Sequence, residues 1–222
     1  MARQRTPDAR MPLREHLVEA RNRILLSFAG IVVASIGGWL LYPWAFQILQ
    51  RPLEAAVDTT QLALNFPSVA ASLDMQIKVS LFGGVILASP WWLFQLWKFI
   101  NPGLKKRERR WALAFVGAAA PLFFAGVGLA WAIMPIAVRV LIGFTPEGVL
   151  NIIDAAAYLG FVMRLMLAFG LAFLAPVVMV VLNLLGIVRG KQLLSVWRGA
   201  VLVIFVFAAA ATPTSDVVSL MA

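Results

Sequence analysis

Two acids and one base in this sequence carry charges that need a purpose. Glu19 lies in the basic stretch HLVEARNR, one helical turn from Glu15 and on the same helical face as His16. Glu108 is the single acid among Lys105, Lys106, Arg107, Arg109 and Arg110. Arg164 sits inside an apolar run, roughly 13 Å deep if that run is helical, where a cation is costly unless it faces protein or water. A carboxylate in a basic collar has two uses. It pairs locally, Glu19 with Arg23 four residues later and Glu108 with Lys105 three residues earlier, or it is reserved for a cationic partner. Arg164 can snorkel outward or meet Asp154, Asp74 or Asp216.

Other chemistry has little to build on. With no cysteine and one histidine there is no thiolate nucleophile, no disulfide framework and no histidine-built metal site, and no cofactor is expected. The apolar runs hold no serine with a histidine base, no aspartate pair and no HExxH pair, so an intramembrane enzyme lacks its reacting groups. The alternative of a small-solute transporter or channel needs a polar pathway through the bundle, against which the scarcity of charge in the apolar runs argues.

The elements that position these residues are membrane helices. Of 222 residues, 62% are hydrophobic and 13% charged, which places the chain among polytopic membrane proteins. The pattern predicts an all-α fold in a single membrane domain, 1–222. An amphipathic leader covers 1–23, and spans cover 24–42, 75–100, 111–134 and 158–185, with kinks at Pro90 and Pro121. The run 199–211 has 13 residues and reads as re-entrant on length alone. Segments 43–74 and 135–157 read as external loops, the first a folded cap with short helices, the second containing Asp154, well placed to cap the next helix. The leader, Lys98 and the connections 101–110 and 186–198 hold 15 of the 19 basic residues, which puts them on the cytoplasmic side. The net charge of +9 therefore serves orientation, and no nucleic-acid partner is expected. The small residues of AAAPLFFAGVGLA predict close helix packing.

Taken together and in order, HLVEARNRIL, FQLWKFINPGLKKRERR, FTPEG, YLGFVMRLMLAFGLAFLAPVV and ATPTSD closely resemble TatC, the signal-peptide receptor family of the twin-arginine protein translocase. The resemblance implies a concave bundle of six helices with both termini cytoplasmic and short fifth and sixth helices. On that reading 199–211 spans after all, giving five spans, and the apolar run begun after Pro213 is a sixth, cut short at Ala222. It also implies no enzymatic activity. The implied role is recognition of the paired arginines of a folded cargo's signal peptide, at the bacterial-type cytoplasmic membrane, in transport driven by the proton-motive force. The implied partners are the single-span proteins TatA and TatB, and an oligomer. The family's signal-binding acids match Glu19 and Glu108, and neighbouring functional positions match His16, Arg21, Gln95, Phe99 and Lys106. Leu174, Arg164 and Asp216 are the candidate partner-docking positions, and at Leu174 many relatives carry a glutamate instead.

Overall fold

The computed structural model describes residues 13–56, 62–100, 106–144 and 151–184. The described elements are α1 (Leu13–Leu40), α2 (Tyr42–Ala56), β1 (Leu62–Asn65), α3 (Val69–Leu87), α4 (Ser89–Ile100), α5 (Lys106–Ile142), β2 (Asn151–Asp154), α6 (Ala155–Phe173) and α7 (Ala175–Leu184). The run 199–211, the connection 186–198 and Asp216 lie outside the described residues.

Three helix boundaries share one construction. Leu41, Ala88 and Leu174 each separate two helices, and a proline follows two residues later, at Pro43, Pro90 and Pro176. Proline has no amide to donate to the preceding turn, so the old helix ends there. In the first turn of a new helix that donor is not needed. The expected run 75–100 is accordingly two helices, α3 and α4, and the run 158–185 becomes α6 and α7. By contrast α5 contains Pro121 and Pro135 and stays helical over 37 residues, so it takes in the start of the expected 135–157 loop. The leader also differs from expectation. Nothing between Leu13 and Leu40 interrupts the backbone ladder, and the described part of the leader, 13–23, forms one 28-residue helix with the first span, about 42 Å long.

Four described segments are long and apolar enough to cross a membrane: Arg14–Leu40, Val69–Leu87, Gly117–Ile142 and Ala155–Asn183. Leu17, Ile24, Phe28, Val33, Ile36 and Leu40 on α1 are exposed, as a lipid-facing surface requires. Helices approach closely where side chains are smallest. A methyl group at Gly38 would strike the Ser80 carbonyl, one at Gly84 the Ser35 side chain, and one at Gly126 the Phe169 carbonyl. Met75, Val79, Phe123, Ala130, Met134, Leu159 and Val162 form the centre of the core. Trp92 packs edge-on against Phe123 at 5.6 Å, joining α4 to α5.

The segment after α1 is folded. Leu49, Leu53 and Ala56 on α2 are buried, and the Tyr158 hydroxyl donates to the Leu49 carbonyl at 3.2 Å. Arg139, in the last turn of α5, donates to the carbonyls of Ala55 and Ala56 at 3.3 Å each and so caps the C-terminus of α2. A short parallel ladder, not expected from the sequence, pairs β1 with β2 from Leu62↔Asn151 to Asn65↔Asp154. Asp154 closes it and then caps α6, accepting from the Ala157 amide at 2.7 Å.

Candidate functional site

The N-terminal half of α1 lies along α4, and the seam between them contains most of the singled-out residues. On α4, Trp91, Gln95 and Phe99 recur every fourth residue. On α1, His16, Glu19, Arg23, Leu26 and Gly30 recur at steps of three and four. One stripe on each helix is thus in position to meet the other. At the outer end His16 stacks on Phe99, with ring centroids 4.5 Å apart and planes inclined by 16°. In the middle Arg23 donates from Nη1 to Gln95 Oε1 at 3.2 Å. At the inner end the Trp91 indole donates from Nε1 to the Leu26 carbonyl at 2.9 Å, and its ring fills the notch left by Gly30, where a methyl group would collide with it.

Glu19 occupies this seam in an unusual state. Its Oε1 accepts from Arg23 Nη2 at 3.4 Å, a long single contact, while its Oε2 is buried with no hydrogen-bond partner. The two side chains are 20% and 27% exposed, so the pair sits at a rim rather than in the core. Beside it opens a cleft of about 400 Å³ lined by Glu15, Val18, Glu19, Asn22, Arg23 and Leu26. A buried carboxylate oxygen without a donor is costly, and Glu19 also lines the cleft, so a donor that enters there and shifts the neighbouring side chains can satisfy it. The chemistry this favours is capture of a cation, guanidinium above all.

The structure therefore brings His16, Glu19, Gln95 and Phe99 together. Gln95 is buried at 2% exposure and acts as an anchor on α4. Arg21 points outward, with a 3.5 Å contact to Asn22 Oδ1. Lys106 and Glu108 stand in the first turn of α5, and their side chains lie outside the described residues. Arg164 is exposed and donates to the Gly160 carbonyl of its own helix at 3.0 Å. Two acids suggested for it are engaged elsewhere, Asp74 with Lys78 at 2.6 Å and Asp154 as a helix cap. Leu174 sits at the α6–α7 break and is buried. With Leu93, Trp97, Ala119, Val177 and Val181 it walls an apolar cavity of about 140 Å³. Sequence reasoning missed Trp91 with its Gly30 notch and saw Arg23 only as the i+4 partner of Glu19. The signal available was the fourfold spacing of Trp91 to Gln95. Among the described residues no group of three His, Cys, Asp or Glu side chains comes together to hold a metal ion.

The family model for TatC, "Sec-independent protein translocase protein (TatC)", matches residues 15–222 of this sequence. The chain belongs to the TatC family. A TatC from Xylanimonas cellulosilytica is 52% identical over 214 residues, covering 96% of this chain and 78% of that protein. Another from Rothia mucilaginosa is 37% identical, over 95% of this chain and 73% of its own length. Among solved structures, that of a twin-arginine translocase receptor TatC in the detergent DDM superposes with a TM-score of 0.80 at 31% identity, over 89% of this chain and 88% of that one. This TatC-family chain is a membrane-spanning subunit of the Sec-independent protein translocase, so its role is transport.

Proposed function

We propose that this chain is the signal-peptide receptor and core subunit of a translocase that exports folded proteins, and that Glu19 and Glu108 each receive one of the paired arginines of the signal. The reading includes the cytoplasmic membrane of a bacterial-type cell, an N-terminus in the cytoplasm, energy from the proton-motive force, and TatA- and TatB-type single-span partners. The observation that carries it is the half-satisfied carboxylate of Glu19, a residue that lines an open cleft and shares the α1–α4 seam with His16, Gln95 and Phe99. A guanidinium offers two parallel donors to a carboxylate edge, which an ammonium cannot. Glu108 fits as the second acid because α5 begins six residues after α4 ends, within about 20 Å of chain reach. A solved relative is itself described as a twin-arginine translocase receptor, which supports the same reading.

The test is affinity for a synthetic peptide with two adjacent arginines ahead of an apolar stretch, measured on the detergent-solubilised protein. Glu19→Gln and Glu108→Gln should each weaken binding by roughly 2 kcal/mol, about thirtyfold, and a twin-lysine peptide should bind more weakly than the twin-arginine one. Glu54→Gln, on the exposed face of α2, should leave it unchanged. Equal affinity in all three variants would return both acids to ordinary ion pairing.

A further inference from the structure

We propose that Arg23 is a resident competitor for Glu19, occupying the carboxylate between transport events and lowering the receptor's affinity until an incoming guanidinium displaces it. This rests on the reading of Glu19 as a signal-binding acid.

The geometry divides Arg23 between two acceptors. Nη1 is bonded to Gln95 at 3.2 Å, and only Nη2 reaches Glu19, at 3.4 Å. A guanidinium that meets a carboxylate edge-on makes two bonds of about 2.8 Å. Arg23 makes one, and a long one, because its other terminal nitrogen is held by α4. Glu19 Oε2 is consequently left without a donor although it is buried. The carboxylate is oriented but not saturated, and Glu19 lines the cleft, so an incoming guanidinium reaches the second oxygen as Arg23 gives way.

Displacement is feasible on both sides. The contact to be broken is a single, partly exposed ion pair, of the kind that holds its partners by no more than about fivefold. The released guanidinium keeps its bond to Gln95, which is 2% exposed and fixed on α4, so Arg23 is not stranded. The incoming arginine gains the two-pronged contact that Arg23 cannot make. Gln95 thus becomes a positioning residue that keeps Arg23 from closing fully on Glu19.

The experiment is a double-mutant cycle on the full chain in detergent, read as affinity for the twin-arginine peptide, with thermal unfolding as a check of folding. Arg23→Gln should tighten binding about twofold to fivefold, and that gain should vanish in the Glu19→Gln background. Arg14→Gln removes an equal charge from the exposed face of α1 and controls for simple relief of repulsion. Should Arg23→Gln fail to fold, Arg23→Met keeps the apolar stem and serves in its place. Three outcomes overturn the inference alone, given that Glu19→Gln weakens binding: Arg23→Gln leaves affinity unchanged or weakens it, its gain persists without Glu19, or Arg14→Gln gives the same gain. If Glu19→Gln itself leaves affinity unchanged, the receptor reading of Glu19 fails and the competitor falls with it.

Discussion

His16 and Phe99 are the pair whose contact is easiest to isolate, because a near-parallel stack at 4.5 Å is an interaction of two rings and little else. A double-mutant cycle of His16→Ala and Phe99→Leu should show a coupling of about 1 kcal/mol in detergent unfolding. A coupling near zero would mean the rings are neighbours without energetic contact. Leu174 calls for a different expectation. It is 7% exposed and its cavity is walled by aliphatic and aromatic groups, so a carboxylate there is buried without a donor. Leu174→Glu should therefore destabilise the protein by roughly 2 kcal/mol or more, whereas Leu174→Met, similar in volume, should cost under about 1.5 kcal/mol. An unchanged unfolding temperature for Leu174→Glu would show that donors are within reach of position 174.

At the scale of elements, the α1–α4 seam depends on one notch. Gly30→Leu should drive the Trp91 ring out, break the bond to the Leu26 carbonyl and part the helices, so it should lower both stability and affinity for the twin-arginine peptide. Trp91→Phe keeps an aromatic ring but loses the Nε1 donor and the five-membered ring that faces Gly30, costing about 1 kcal/mol or more. If Gly30→Leu were as stable as the parent, the notch would not govern the seam. These elements were unevenly legible in the sequence. Long apolar runs announced the helices, and Asp154 announced the start of α6. Pro90 predicts a kink and Pro176 falls inside the expected run 158–185, because a missing amide says that a turn is broken but not that the next residues restart a helix. The ladder of β1 with β2 was invisible, since two four-residue strands carry too little alternation and their pairing is long-range. Glu19, His16, Gln95 and Phe99 were marked by family resemblance. The tie of Arg23 to Gln95 spans 72 positions and follows only from how α1 lies on α4.

For the whole molecule, the absence of cysteine makes topology directly testable. Single cysteines at 105 should resist an impermeant thiol reagent in intact cells, while those at 58 and 147 should react, and labelling at 105 would overturn the proposed orientation. At the end of the bundle where α2 terminates, Arg139, Tyr158 and the β1–β2 ladder bind the first half of the chain to the second. Arg139→Leu should loosen that end, costing about 1–2 kcal/mol and speeding amide exchange in the last turn of α2. The consequence is one of leverage. The two halves also meet where Trp92 packs on Phe123, whereas α1 is an arm of 28 residues, about 42 Å, that runs from Leu40 to Leu13. A tilt of α1 by about 5° about its Leu40 end carries the Leu13 tip about 4 Å. The widest travel falls at the end where His16 and Phe99 stack, so that ring contact is the most sensitive gauge of how α1 sits on α4.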